Sequence, residues 1–126
     1  MKKTIMAEHA PPALGPYSHA VVAGDFVYSS GQTALDPATG KMIEGDVAAE
    51  ARQTLNNLKA VLNAAGADFS QVVKCMVFLT DMADFAAVNS VYIEAFPENP
   101  PARSCVAVAA LPAGAKVEIE AIAFLG

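Results

Sequence analysis

A chain of 126 residues and 13.0 kDa has the size of one domain, which excludes an enzyme built from separate cofactor and substrate halves. With 54% hydrophobic and 17% charged residues it folds around a core, and polar residues interrupt every apolar run before the roughly 18 residues of a membrane span. A formal charge of −5, a pI near 4.8 and scattered basic residues disfavour a nucleic-acid partner, so a small anionic ligand would need one local positive site.

Lys2 and Lys3 are followed by Glu8, His9 and two prolines, so no export signal is expected. Three short β-like runs come first: Lys3 to Ala7, Ala20 to Ala23 and Phe26 to Ser30. Gly24-Asp25 predicts a tight hairpin, and Asp36-Pro37-Ala38-Thr39-Gly40 a turn. From Asp46 to Ala65 the pattern is helical: Ala51, Leu55, Leu58, Leu62 and Ala65 recur at spacings of 4, 3, 4 and 3, with Asp46 as N-cap and Gly66 as stop. Val72 to Thr80, apolar in both parities apart from Lys74 and Thr80, reads as a central strand. Phe85, Val88, Tyr92 and Ala95 or Phe96 mark a second helix, capped by Asp84 or Asp81 and ended by Pro97. Arg103 to Ala110 and Lys116 to Phe124 close the chain as two strands joined by the Leu111-Pro112-Ala113-Gly114 turn.

The order βββ, α, β, α, ββ implies a single α+β domain spanning residues 1–126, with two helices on one face of a mixed six-stranded sheet. Along the last strand Val117, Ile119, Ala121 and Ala123 suit the helix-covered face, which turns Glu118, Glu120, Ile122 and Phe124 to the other. Two helices leave nothing to cover that half-apolar second face, and an exposed apolar patch of this kind points to a homo-oligomer with sheets packed face to face.

The candidate chemistry lies beside that second face. Arg103 follows Asn99-Pro100-Pro101, and its planar guanidinium suits a bidentate carboxylate contact. The alternative is a strand-end arginine paired with a surface carboxylate. Glu118 and Glu120 share a strand face, where apolar neighbours raise a carboxylate pKa towards proton-transfer duty. The alternative there is a pair of exposed edge-strand glutamates that block sheet aggregation. Cys105, two residues past Arg103, is expected to be a small buried residue or to contribute only its backbone N–H. His19, after Gly15-Pro16-Tyr17-Ser18, reads as a solvated or capping loop histidine. In Ser29-Ser30-Gly31-Gln32 the glycine would let backbone approach a ligand, without any phosphate-loop or nucleophile-elbow pattern around it. Cys75 and Cys105 have no CxxC spacing, and His9 and His19 no metal-binding pairing, so the expectation is no metal, no disulfide and a reducing, cytoplasmic compartment.

The segment Pro101-Ala102-Arg103-Ser104-Cys105-Val106, with Leu111-Pro112 and Val117-Glu118-Ile119-Glu120-Ala121, resembles the C-terminal signature of the RidA/YjgF family of reactive intermediate deaminases. Gly15-Pro16-Tyr17-Ser18, Ser30-Gly31-Gln32, Ala51 to Asn57 and Val88-Asn89 with Tyr92 extend that resemblance over essentially the whole chain. The resemblance implies a chorismate-mutase-like fold, a homotrimer and clefts between neighbouring subunits. It also implies hydrolysis of enamines and imines such as 2-aminoacrylate to 2-keto acids and ammonia, without metal or organic cofactor. By the same resemblance Arg103 clamps the substrate carboxylate with the backbone N–H of Cys105, and Glu118 activates the attacking water. Tyr17, Ser30, Gly31 and Asn89 would then line the cleft. Relatives lacking the arginine are not active as deaminases in this way, which makes Arg103 the discriminating residue. Two other functions attached to such a chain are a 2-keto-acid-binding regulatory module and an RNA-cleaving translation inhibitor. The acidic pI disfavours the second.

Overall fold

The computed structural model describes residues 1–126. Six strands form one sheet: β1 (Lys3–Ile5), β2 (Ala20–Ala23), β3 (Phe26–Ser29), β4 (Val72–Leu79), β5 (Ala102–Ala107) and β6 (Val117–Phe124). Their order across the sheet is β1-β2-β3-β6-β4-β5, with every pair antiparallel except β4 and β5. Two helices, α1 (Val47–Ala64) and α2 (Phe85–Ala95), cover one face. No helix is long and apolar enough to cross a membrane.

Local chemistry explains the boundaries. β2 and β3 meet at Ala23 and Phe26 across a two-residue turn, and Gly24 adopts φ +59°, which a residue with a Cβ takes at a cost. The Asp36 turn forms as its sequence predicts, with Asp36 Oδ1 accepting from the Ala38 N–H at 2.8 Å. Asp46 caps α1 by accepting from the Ala49 N–H, and the helix stops at the Ala65-Gly66 pair, where Ala67 N–H returns to the Leu62 carbonyl. Asp81 caps the short 3-10 turn that precedes α2, accepting from Ala83 N–H, whereas Asp84 makes no side-chain cap.

The core lies between the helices and one parity of the sheet. Leu58, Val61 and Leu62 of α1 are fully buried against Val77, Leu79, Val117, Ile119 and Ala123, each Leu, Val or Ile contributing about 1.5–3 kcal/mol of burial. The β6 alternation matches expectation: Val117, Ile119, Ala121 and Ala123 are buried, and the residues between them face away. On the opposite face Phe26, Tyr28 and Phe124 form an exposed aromatic group, with Phe26 and Phe124 ring centres 5.2 Å apart. Val106 is exposed as well.

Three expectations need correction. The first strand ends at Ile5 rather than Ala7, because the Ala7 N–H leaves the ladder for the His19 ring. The fifth ends at Ala107 rather than Ala110, after which Val108 N–H bonds the Leu79 carbonyl and the chain turns away. β5 and β6 are consecutive in sequence but not neighbours: β4 lies between them, which makes β6 an interior strand. Glu118 and Glu120 are therefore not edge-strand glutamates guarding against aggregation.

Candidate functional site

The polar residues singled out from sequence fall into two groups on opposite faces of the sheet. Arg103 pairs in register with Cys75, and Cys75 with Ala121, both buried on the helix side. Neighbouring strands keep paired side chains on one face, so Arg103 and Cys105 point under α2. Arg103 thus does not lie beside the open second face as its place in the sequence implied. The parity of the parallel β4–β5 register decides this, and that register is not visible in the chain order. Glu118, paired with Phe78 and through it with Val106, stands on the open face. Within one chain Arg103 and Glu118 are separated by the sheet itself, with β4 between their strands.

The arginine group is built from β5 and α2. Arg103 Nη1 donates to Asn89 Oδ1 at 2.8 Å, and its guanidinium carbon lies 4.8 Å from the Tyr92 ring centre and 5.4 Å from that of Phe85. It has no carboxylate partner; the chain's ion pair joins Arg52 to Glu94 on the surface. The bland alternative of a strand-end arginine neutralised by a surface carboxylate is therefore absent. A hollow of about 360 Å³, walled by Tyr92, Ile93, Phe96, Pro97 and Pro101, opens at the guanidinium. Burial pushes the Cys105 thiol pKa up, with the Arg103 charge opposing it, so the thiol rather than the reactive thiolate is favoured. Burial likewise raises the Tyr92 hydroxyl far above the ordinary tyrosine range.

The glutamate group is built from β6, the end of β3 and the loop before β2. A hollow of about 290 Å³ is lined by Tyr17, Ser29, Ser30, Gly31, Pro112, Glu118 and Glu120. Gly31 sits against Glu118 so closely that a Cβ there would fall 2.5 Å from Oε2, which is why only glycine leaves the carboxylate its place. Desolvation raises the Glu118 pKa, and the neighbouring Glu120 adds to the shift. Backbone bonds lock the frame: Gln32 and Ile119 exchange N–H···O bonds at 2.9 and 3.0 Å, and Ser29 Oγ accepts from the Ala121 N–H.

His19 is neither solvated nor a cap. It is buried, Nδ1 accepts from Ala7 N–H at 2.8 Å, and Nε2 therefore carries the proton and donates to the Pro11 carbonyl at 2.8 Å. Its own carbonyl accepts from Ser30 N–H, and Ser30 Oγ donates to the Ser18 carbonyl. The histidine thus ties the N-terminal segment to the Tyr17–Gly31 side of the hollow.

Asn89, expected with Tyr17, Ser30 and Gly31 as a cleft residue, stands within one chain beside Arg103, on the other side of the sheet from those three. Sequence reasoning missed Phe85, Tyr92 and Pro112 as site residues. The signal for two of them was present: Phe85, Asn89 and Tyr92 are spaced i, i+4, i+7, a polar residue between two aromatics on one helix stripe.

Residues 7–125 match the family model described as Endoribonuclease L-PSP. The chain belongs to the RidA/YjgF family. Among similar proteins, Protein DfrA of Myxococcus xanthus is 56% identical over 97% of this chain and 95% of its own. The Bos taurus 2-iminobutanoate/2-iminopropanoate deaminase is 50% identical over all of this chain and 92% of its own. The crystal structure of RidA from the Antarctic bacterium Psychrobacter sp. superposes with a TM-score of 0.93 at 48% identity, covering 97% of this chain and 98% of that one. These RidA-family likenesses run the length of the chain and match its α+β architecture.

Proposed function

We propose that this protein is a cytoplasmic, cofactor-independent 2-imino-acid deaminase that works as a homotrimer, each active site joining the Arg103 group of one subunit to the Glu118 group of the next. The observation that carries this reading is the division of the site. A fixed cation without a carboxylate lies on one face, a half-buried carboxylate without a cation on the other, and neither group alone can both hold and hydrate an imino acid. The exposed aromatic sheet face supports assembly, and the deaminase name of the bovine relative supports the reaction. The cytoplasmic setting rests on the sequence alone.

In the proposed reaction the substrate carboxylate takes the Arg103 fork and the Cys105 backbone N–H. Binding there positions the α-carbon near Glu118 of the neighbouring subunit, with Tyr17, Ser30 and Gly31 lining the cleft. An enamine acid first tautomerises to the imine by protonation at carbon. Glu118 then accepts a proton from water as its oxygen bonds the α-carbon, and returns that proton to nitrogen. Collapse of the carbinolamine expels ammonia and leaves the 2-keto acid, so one water is consumed and no oxidant or reductant is needed. A carboxylate whose pKa lies above its ordinary value suits both halves of this exchange.

Subunit mixing tests the arrangement. Arg103→Ala and Glu118→Gln should each lose imine hydrolysis by about 10²-fold or more. Randomly mixed and refolded together, they should regain about one quarter of wild-type activity, because that fraction of interfaces carries both native residues. Light scattering should give three times 13.0 kDa. No recovery on mixing, with both variants trimeric, would overturn the shared site; a binding-only regulatory module would hold 2-keto acids in the wild type without any turnover.

A further inference from the structure

The Arg103 guanidinium is held in an unusual way for a buried-edge cation. An arginine fixed by a carboxylate is neutralised by it, and the partner competes with any incoming anion. Here the partners are a neutral amide oxygen and two aromatic faces. Asn89 takes one of the five N–H donors, which leaves four, and a bidentate carboxylate needs two. Tyr92 is itself immobilised: its ring packs on Phe96 at 4.8 Å, and Phe96 on Phe69 at 5.1 Å. The Tyr92 hydroxyl is buried beside the Cys75 thiol and makes no bond to Arg103, so it is the ring, not the polar handle, that faces the cation.

We propose that Phe85 and Tyr92 are positioning residues: their rings fix the plane of the Arg103 guanidinium while leaving its charge unspent, and so set the affinity for a 2-keto or 2-imino carboxylate. Phe85, Asn89 and Tyr92 form one stripe of α2, so the helix presents ring, amide and ring to the cation in sequence. The proposal rests on the reading of Arg103 as the carboxylate anchor. It goes beyond that reading by assigning part of the anchor's affinity to the two rings that hold the guanidinium.

The test uses the full-length protein and 2-oxobutanoate as the calorimetric probe, with steady-state imine hydrolysis alongside. Phe85→Leu and Tyr92→Leu keep apolar bulk but remove the ring face, and each should weaken binding roughly 3- to 30-fold. KM should rise by a similar factor with kcat largely retained, the split expected when an anchor loosens and the proton-transfer residue does not. Tyr92→Phe keeps the ring and should bind within about twofold of wild type. Tyr92 is buried and its leucine variant risks misfolding; Phe85 is 38% exposed, so Phe85→Leu decides the matter if the other fails to fold. Wild-type binding by folded Phe85→Leu, or equal loss in Tyr92→Phe and Tyr92→Leu, would overturn the proposal while Arg103→Ala still abolished binding. Undiminished binding by Arg103→Ala would instead remove the anchor reading itself.

Discussion

Replacing Gly31 by alanine separates the fold from the chemistry. The three atoms nearest an added Cβ all belong to the Glu118 side chain: Oε2 at 2.5 Å, Cδ at 2.7 Å and Cγ at 2.9 Å. Ordinary contact begins at 3.4 Å, so the carboxylate oxygen must retreat by about 0.9 Å. Gly31 is not among the residues with positive φ, so alanine meets no left-handed backbone strain, and it gains about 0.4–1 kcal/mol from a less mobile unfolded chain. Against this, turning Glu118 off its rotamer costs about 0.5–1.5 kcal/mol. The two effects nearly cancel, so the melting temperature should stay within about 4 °C of wild type. Turnover should not survive: a displacement near 1 Å at a reacting group costs about 10²-fold. Thermal denaturation and 2-aminoacrylate hydrolysis, with the enamine generated in situ, give both numbers on one preparation. Full activity at normal stability would show that the Glu118 position described above is not the one used in the reaction. A fall of more than about 10 °C would show that Gly31 is packed against backbone rather than against one flexible side chain.

Two further outcomes follow from buried polar groups. Because Glu118 has a raised pKa in the folded chain, the native state holds its proton more tightly than the unfolded one, so its contribution to stability is present below the ordinary carboxylate range and is lost as pH rises through the folded pKa. Glu118→Gln should accordingly melt higher than wild type at pH 7 and equal to it near pH 4; a wild-type advantage at pH 7 would contradict the assigned desolvation. His19→Ala strands the Ala7 N–H and the Pro11 carbonyl, and should cost about 2–4 kcal/mol, while His19→Gln, which supplies one acceptor and one donor, should cost less. Equal melting of His19→Ala and wild type would refute the tethering role.

Much of this architecture is legible in the residues, and the exceptions have physical causes. Helix α1 announces itself through Asp46 and its leucine spacing, and the β6 alternation correctly assigns Glu118 to the face without helices. Arg103 is placed wrongly because a strand's own pattern carries no information about which neighbour it joins. Its face follows from the parallel register Cys75↔Arg103, a long-range fact. His19 misleads because a lone histidine after a turn looks solvated until Ala7 and Pro11 fold over it. Phe85 and Tyr92 hide in plain view, since the same side chains satisfy a core-stripe reading of α2.

Asn57 gives the molecule a fixed splice point. Fully inside the protein, its amide nitrogen donates to the carbonyls of Thr33 and Leu35, both at 2.8 Å, while Gln53 donates to its oxygen at 2.9 Å. The strand-free stretch from Ser30 to Gly45 is thereby riveted to helix α1 just past Gly31, and Ile43 N–H closes back on the Ala34 carbonyl. What lies beyond that rivet, the Asp36 to Lys41 turn, hangs outside the structural circuit. Leu35 and Met42 bridge each other at the base of this turn, so changes in its length should be absorbed there rather than passed to the glutamate side of the sheet. The fold can therefore vary its outline there over evolutionary time, or accept an inserted peptide, while Gly31 and its neighbours keep their coordinates.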